Sequence, residues 1–186
     1  MRIISGIYKG KKILQPLDKK TRPLKDITKE GIFNILEHSN ILNFKIKNSK
    51  ILDIFSGTGS FGIECLSREA KSVTFVENYL PAVSILKKNI VNLNLGKKSF
   101  VLINDFTKID FTYLDDTFDL IFLDPPFKDN NISDLFEIIY SKKLIKKDSL
   151  IILHRHKKTE GDIHKDYQII ENRLYGLSKI FFLKLR

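Results

Sequence analysis

Residues 52–64 read LDIFSGTGSFGIE and connect a short apolar segment to an amphipathic one through three glycines. The spacing of Gly57, Gly59 and Gly62 is Gly-x-Gly-x-x-Gly, in which glycines permit a tight turn and a close approach of ligand to backbone. The turn leads into the N-terminus of a predicted helix, which favours an anionic group. The pattern indicates a nucleoside-containing cofactor, although glycines at this spacing can also serve only a close helix–strand crossing.

Short apolar runs alternate with helical periodicity around this turn, which is typical of a parallel sheet covered on both faces. We predict strands at Lys50–Phe55, Ser72–Glu77, Phe100–Ile103, Phe118–Leu123 and Leu150–Leu153, and a closing hairpin of Tyr167–Leu174 and Leu177–Leu185. We predict helices at Asp26–His38 (with Asp26 as N-cap), Ser60–Glu69, Pro81–Leu93 and Ile132–Lys142. The fold class is therefore α/β and Rossmann-like, with a mostly parallel seven-stranded sheet and a C-terminal antiparallel hairpin.

The N-terminal region precedes the sheet. Ile3-Ile4 and Ile13-Leu14 flank a segment with glycines at 6 and 10, which predicts a small β-hairpin before the first helix. We treat residues 1–186 as a single domain, with 1–45 as an appendage and 46–186 as the core. The appendage is expected to lie over the ligand-binding edge of the sheet.

The composition excludes several classes of protein. The chain has 186 residues, 42% of them hydrophobic, which argues against disorder. No apolar run approaches the roughly 18–20 residues that span a bilayer, and no signal-peptide pattern begins the chain. The single cysteine, Cys65, excludes an intramolecular disulfide or a cysteine zinc site and is expected in the core. We therefore predict a soluble, cytoplasmic protein.

The net charge of +10 is unevenly distributed. Residues 1–50 carry +8, residues 51–141 carry −5, and residues 142–186 carry +7. Basic flanks favour a polyanionic partner such as nucleic acid. A bias towards lysine codons would also produce a lysine surplus, so the charge alone does not identify the partner.

Acidic side chains lie at or near the predicted ends of the first three strands, at Asp53, Glu77 and Asp105. Glu77 is placed to accept hydrogen bonds from ribose hydroxyls, and Asp105 to accept one from an adenine amino group. A pyrophosphate would be poorly matched to three carboxylates, whereas a sulfonium cofactor with an ammonium group would be well matched. Asp53 and Asp105 could alternatively cap turns.

The sequence Asp124-Pro125-Pro126-Phe127 directly follows the predicted strand Phe118–Leu123. Two prolines cannot continue a central strand, so the chain must leave the sheet here with little backbone freedom. A carboxylate, the Pro125 carbonyl and an aromatic ring would together hold a flat heterocycle that bears an exocyclic amine. A rigid strand-exit turn without a ligand is the simpler alternative.

These motifs together give a specific resemblance. The chain resembles the RsmD-type bacterial 16S ribosomal RNA guanine-N2 methyltransferases over residues 1–155. The matching segments are Arg2–Gly6, Tyr8–Lys11, Arg22-Pro23, Asp26, Lys29-Glu30, Phe33–Leu36, Leu52–Glu64, Leu66–Arg68, Phe75–Glu77, Asn89 and Asp124–Phe127. The resemblance implies a class I fold that uses S-adenosylmethionine, without a metal, to methylate the exocyclic N2 of a flipped guanine in the small ribosomal subunit.

The resemblance also implies residue roles. The base-holding catalytic residues are Asp124, Pro125 and Phe127. The cofactor-binding residues are Asp53, Phe55, Gly57, Gly59, Glu77, Asn78, Asp105 and Phe106. The RNA-binding residues, in or next to the appendage, are Arg2, Lys9, Lys11, Lys12, Arg22, Lys25 and Lys29. A monomer is the default expectation.

The chain departs from the family pattern at two places. Residues 26–30 read DITKE, which has fewer arginines than the family run. After the fifth strand, the acidic residue that the family often has is replaced around Leu153-His154-Arg155-His156. We expect His154, His156 and His164 to be solvated or RNA-facing rather than metal ligands. A DNA adenine-N6 methyltransferase, a NAD-dependent oxidoreductase and a non-catalytic RNA-binding module remain as rival functions.

Overall fold

The computed structural model describes residues 1–16, 24–111, 117–126, 132–159 and 163–186. The helices are α1 (Asp26–His38), α2 (Ser60–Ser67), α3 (Leu80–Asn92) and α4 (Ile132–Ser141). The strands are β1 (Lys50–Ile54), β2 (Ser72–Val76), β3 (Ser99–Leu102), β4 (Phe118–Leu123), β5 (Ile145–His156), β6 (Tyr167–Tyr175) and β7 (Ser178–Leu185). None of the helices in these ranges has the length and apolar character that a membrane crossing needs.

The described strands form one seven-stranded sheet in the order β3-β2-β1-β4-β5-β7-β6. The first five strands in this order are parallel, and β7 and β6 close the sheet as an antiparallel hairpin. This confirms the predicted α/β fold and its C-terminal hairpin. The strand order reverses between β1 and β4, and this is the point at which open α/β sheets bind their ligands.

One strand is longer than predicted. β5 begins at Ile145 rather than Leu150, and its pairing with β4 shifts register between Phe118 and Leu120. The Ser149 hydroxyl bridges the irregularity, because it donates to the Phe118 carbonyl at 2.7 Å and accepts from the Lys146 N–H at 2.9 Å. The polar residues 146–149 concealed this part of the strand from an apolar pattern.

Two apolar clusters cover the two faces of the sheet. One contains Phe61 of α2 and Leu86 of α3, and the Phe61 ring stacks on Phe122 of β4 with centroids 4.0 Å apart. The other contains Phe136 of α4 and Tyr167 of β6. Burial on both faces explains the continuous apolar strands and gives the carboxyl edge of the sheet a rigid support.

The N-terminal hairpin is shorter than predicted. Its only assigned bridge among the described residues joins Arg2 and Lys12 in antiparallel orientation. Helix α1 begins as predicted, but its N-cap is Lys25 and not Asp26, and the Lys25 side chain makes no capping hydrogen bond. Asp26 is instead the first helical residue, where its negative charge is favourable next to the helix dipole.

Glu64 of α2 connects the N-terminal segment to the core. Its fully buried carboxylate accepts hydrogen bonds from the backbone N–H groups of Ile4 at 2.8 Å and Ser5 at 2.9 Å. Arg68 Nε also donates to it, at 3.0 Å. Ile3 and Ile13 belong to the same apolar cluster as the sheet residues, so two side chains of the segment 1–16 are part of the core. The separation of residues 1–45 as an RNA-binding appendage from the core at 46–186 stays a prediction.

Candidate active site

The carboxyl ends of adjacent parallel strands are aligned. Ile54 of β1 pairs with Val76 of β2 and with Leu123 of β4. Leu123 also pairs with Leu153 of β5. The residues directly after these positions are Phe55, Glu77, Asp124 and His154. The sheet register therefore brings distant parts of the sequence to one edge.

The glycines of the turn differ in what surrounds them. Gly57 has a φ of +55°, and a Cβ added there would meet no described atom within 4 Å. At Gly62, where α2 crosses β2, an added Cβ would lie 2.4 Å from the Phe75 ring. A close helix–strand crossing therefore accounts for Gly62 but not for Gly57, whose open surroundings suit a ligand. Phe55 also has a positive φ of 61°, a conformation that is uncommon for a bulky residue and that occurs in tight turns and at ligand-binding sites.

Asp53 is buried beneath this turn, with 1% of its surface exposed. Its Oδ2 accepts a hydrogen bond from the Gly62 N–H at 2.9 Å, whereas Oδ1 is buried and has no hydrogen-bond partner among the described residues. Burial raises the pKa of Asp53 to about 8, with smaller contributions from Asp124 and Glu77, against the opposing effect of the Gly62 N–H. The carboxyl group is thus prepared to ionise when a cation approaches.

Glu77 organises the backbone on the other side of the turn. Its Oε2 accepts from the Gly57 N–H at 2.8 Å, and its Oε1 accepts from the N–H groups of Asn78 at 3.0 Å and Tyr79 at 2.9 Å. Carboxylate oxygens can accept further hydrogen bonds beyond these. Glu77 therefore both fixes the glycine turn and retains the capacity to bind hydroxyl groups.

A cleft at this edge brings together much of the predicted site. It contains about 400 Å³ of empty space, part of it open to solvent, and Asp53, Phe55, Gly57 and Asp124 all line it. The structure therefore places the predicted cofactor turn and the predicted base-holding carboxylate in one cavity.

Asp124 is held at two points. Its N–H donates to the Ile54 carbonyl at 3.3 Å, and its Oδ1 lies 2.7 Å from His154 Nδ1. The expectation that His154 is solvated or RNA-facing is wrong, because the histidine is 6% exposed and adjacent to the predicted catalytic acid. The next residue, Arg155, is also buried and donates to the Pro126 carbonyl at 3.3 Å. Phe127 lies outside the described residues.

Asp105 and Phe106 do not line the cleft. Hydrogen bonds from the Thr107 hydroxyl, at 2.8 Å, and from its N–H, at 3.0 Å, lower the pKa of Asp105, so this carboxylate caps a short 3₁₀ helix (Phe106–Lys108). Phe106 is 1% exposed and packs edge-on against Phe111. The prediction that Phe106 binds the cofactor through its ring does not fit this buried position.

The predicted RNA-binding residues fall into two groups. The exposed ones among the described residues are Arg2, Lys9, Lys11, Lys12 and Lys25. Lys29 is fully buried, donates to the Arg2 carbonyl at 2.8 Å and lies 3.6 Å from the Glu64 carboxylate. Because its ammonium group is enclosed, a phosphate contact by Lys29 is not supported. Arg22 lies outside the described residues.

Sequence analysis missed the contribution of the N-terminal segment to the cleft. Gln15 and Leu24 line it, and the Gln15 amide donates to the Thr58 hydroxyl at 3.2 Å. Asn89 of α3 fixes this segment, because its side chain accepts from the Leu14 N–H at 2.8 Å and donates to the Leu14 carbonyl at 3.2 Å and to the Thr58 carbonyl at 3.1 Å. Nothing in the Leu52–Glu64 motif indicates that the N-terminal segment contacts it. Asn89 was among the residues that match the RsmD-type family, but no role was predicted for it.

The described residues contain no group of three or more histidine, cysteine or acidic side chains that could hold a metal ion. Cys65 is buried in the core, as expected.

The model of the family described as conserved hypothetical protein 95 matches residues 1–184. Ribosomal RNA small subunit methyltransferase D of Haemophilus influenzae is 31% identical over 95% of this chain and 90% of that protein. The protein of the same name from Buchnera aphidicola is 32% identical over 92% of this chain and 86% of its own length. The chain belongs to the RsmD family.

Solved structures resemble this RsmD-family chain over its whole length. The yhhF protein of Escherichia coli superposes with a TM-score of 0.82, at 22% identity, over 100% of this chain and 98% of that chain. A Haemophilus influenzae protein superposes with a TM-score of 0.76, at 28% identity, over 99% and 97%. The family resemblance that the sequence motifs predict is thereby confirmed.

Proposed function

We propose that this RsmD-family protein transfers a methyl group from S-adenosylmethionine to the exocyclic N2 of a guanine in 16S ribosomal RNA of the small subunit. One observation carries the proposal: the glycine turn with Asp53 lines the same cleft as Asp124, the first residue of the Asp-Pro-Pro-Phe sequence. The relatives named ribosomal RNA small subunit methyltransferase D support ribosomal RNA as the substrate class. We place the reaction in the cytoplasm, with the protein as a monomer.

The residues of the cleft fit a cationic cofactor. Asp53 presents a buried carboxyl oxygen that has no hydrogen-bond partner among the described residues, and Gly57 provides open backbone. An approaching ammonium or sulfonium charge would stabilise the ionised form of Asp53. Glu77 would accept from the ribose hydroxyls. When bound, S-adenosylmethionine supplies an electrophilic methyl group.

The Asp124 turn would hold the target base. The nitrogen lone pair of a guanine amine is delocalised into the ring, so hydrogen bonds from its N–H groups to Asp124 and the Pro125 carbonyl would favour a nucleophilic geometry. Positioning of this kind contributes much of the acceleration in group transfer. Phe127 would stack on the extruded base, which is worth about 1–3 kcal/mol for an aromatic contact.

The exposed basic residues of the N-terminal hairpin complete the proposal. Arg2, Lys9, Lys11 and Lys12 are solvent-exposed on the segment whose continuation, at Gln15, reaches the cleft. Phosphate contacts there would guide the RNA towards the active site without reading its sequence.

Labelling with a radioactive methyl donor tests the proposal. Small ribosomal subunits from a strain that lacks this protein, and duplex DNA, are each incubated with the wild-type protein, with Asp124→Ala and with the control Asp134→Ala. Asp134 is exposed in the first turn of α4. We expect label in 16S RNA from the wild type and the control only, with cofactor binding retained by Asp124→Ala. Preferential labelling of DNA adenine would instead favour a DNA adenine-N6 methyltransferase.

A further inference from the structure

His154 and Asp124 form a side-chain pair that the proposed reaction does not yet use. Asp124 follows β4 and His154 lies near the end of β5, and these strands pair in parallel through Leu123 and Leu153. The distance of 2.7 Å between Asp124 Oδ1 and His154 Nδ1 is that of a strong, charge-assisted hydrogen bond. A carboxylate can only accept a hydrogen bond, so the pairing requires the His154 tautomer that carries its proton on Nδ1.

The local sequence explains why Asp124 needs a donor from another strand. An aspartate at a turn commonly accepts a hydrogen bond from the backbone N–H two residues later. Here the next two residues are Pro125 and Pro126, and proline has no N–H. The prolines that stiffen the turn therefore remove both of the nearest backbone donors from the Asp124 side chain.

The end of β5 replaces those donors. His154 contacts the side chain of Asp124, and Arg155 donates to the Pro126 carbonyl at 3.3 Å. Consecutive residues of one strand thus hold the acid and the second proline of the turn. His154 and Arg155 are themselves buried, at 6% and 4% exposure, whereas 20% of the Asp124 side chain is exposed.

We infer that His154 is a positioning residue for the reaction: it fixes the Asp124 carboxylate through Oδ1, so that Oδ2 accepts from the substrate amine. This inference rests on the proposed function. His154 would act through Asp124, since Asp124 lines the cleft and His154 is not among its lining residues.

Three variants separate positioning from a merely structural contribution. His154→Leu removes the donor, whereas His154→Asn retains an N–H at nearly the position of Nδ1. The control His156→Leu changes the histidine two residues later on the same strand, whose Nδ1 accepts from the Lys158 N–H at 3.2 Å. We expect His154→Leu to lower kcat about 10- to 100-fold, as small displacements of a reacting group do. His154→Asn should recover most of that loss, and His156→Leu should match the wild type.

Binding measurements complete the kinetic test. We expect the cofactor Kd and the KM for small subunits to change less than about twofold in His154→Leu, because only the orientation of the acid is lost. Equal loss of kcat in His154→Leu and His154→Asn, loss of cofactor binding together with kcat, or no loss at all would overturn the inference.

A spectroscopic readout keeps the inference testable if the substrate is wrong. Nitrogen-15 NMR of histidine side chains reports which ring nitrogen carries the proton. We expect a protonated Nδ1 for His154 in the wild type and a change of its signal in Asp124→Ala, with His156 unaltered. A wild-type protein that methylates no RNA but gives these spectra would contradict the proposed function and not the pair. A His154 signal insensitive to Asp124→Ala would contradict the pair itself.

Discussion

At the scale of single residues, Asp53 links the stability of the fold to pH. Burial raises its folded-state pKa to about 8, whereas in the unfolded chain its pKa is near the ordinary value of 3.8. Between these values the folded state binds the additional proton, so the free energy of unfolding falls as pH rises, by at most about 1.4 kcal/mol per pH unit. Asp53→Asn cannot ionise and should therefore remove this contribution to the pH dependence of the free energy of unfolding.

Urea unfolding of the wild type and Asp53→Asn at pH 5.5 and pH 8 measures the effect. We expect the advantage of the variant over the wild type to be larger at pH 8 than at pH 5.5. A pH-independent difference between the two proteins would contradict the buried, protonated state of Asp53.

Lys29 illustrates a basic residue whose charge is used inside the protein. Burial lowers the pKa of Lys29, and the neighbouring Glu64 carboxylate opposes this change. Lys29→Met would leave Glu64 without one of its cationic partners, and we expect a loss of about 3 kcal/mol in the free energy of unfolding. Denaturant unfolding at pH 7 measures it.

Exposed Lys25, next to α1, provides the matched control for Lys29. Lys25→Met should change the free energy of unfolding by less than about 0.5 kcal/mol and weaken RNA binding. Lys29→Met should lower the free energy of unfolding and leave the RNA affinity of the folded protein unchanged. A stable Lys29→Met protein with impaired RNA binding would return Lys29 to the RNA-binding set.

At the scale of elements, the N-terminal hairpin depends on one close contact. Gly6 and Gly10 both have φ near +80°, but a Cβ at Gly6 would lie 1.9 Å from the Ser67 carbonyl oxygen, whereas Gly10 has no described atom within 4 Å. The Ile7 N–H donates to that same carbonyl at 2.8 Å. Gly6→Ala should therefore displace the hairpin from α2, and Gly10→Ala should not.

Both alanine variants place a Cβ on a backbone with φ near +80°, so both lose stability from backbone strain. The difference between their free energies of unfolding therefore measures the clash of the Gly6→Ala Cβ with the Ser67 carbonyl oxygen. We expect Gly6→Ala to be less stable than Gly10→Ala by more than about 1 kcal/mol, since overpacking against backbone costs 1–3 kcal/mol. Faster hydrogen exchange at the Ile4 and Ser5 amides should accompany the loss. Equal stability and exchange in both variants would show that the hairpin does not depend on this contact.

The elements also show what a sequence can predict. β4 was predicted with its observed bounds, because its continuous apolar run ends at two prolines. The cofactor turn and Asp124 follow from motifs of a few residues. His154 and Lys29 were misplaced because their partners, Asp124 and Glu64, are 30 and 35 positions away in the chain. A strand signal did exist for His154, since it continues the apolar run Leu150–Leu153.

At the scale of the whole molecule, the charge distribution predicts how RNA binds. Replacement of Lys9, Lys11 and Lys12 by alanine should weaken RNA binding and reduce the slope of log affinity against log salt by about 2 to 3, if each lysine contacts one phosphate. Cofactor binding should be unchanged. Filter binding over a salt series measures the slope.

A second lysine triplet controls for total charge. Lys45, Lys47 and Lys146 line a groove near the amino ends of β1 and β5, and Lys47 and Lys146 pair with Glu69 at 3.1 Å and Asp119 at 3.8 Å. Their replacement should leave the salt slope nearly unchanged. Equal effects of the two triplets would mean that net charge, and not the N-terminal hairpin, governs RNA binding.

The most direct test of the central claim is the chemical identity and position of the methylated nucleoside. Mass spectrometry of 16S ribosomal RNA compares a strain that lacks this protein, the same strain complemented with the wild-type gene, and one complemented with Asp124→Ala. We predict that one guanine gains an N2-methyl group only with the wild-type gene. A methylated adenine, or identical 16S RNA in all three strains, would contradict the assignment of the Asp53–Asp124 cleft to guanine-N2 methylation.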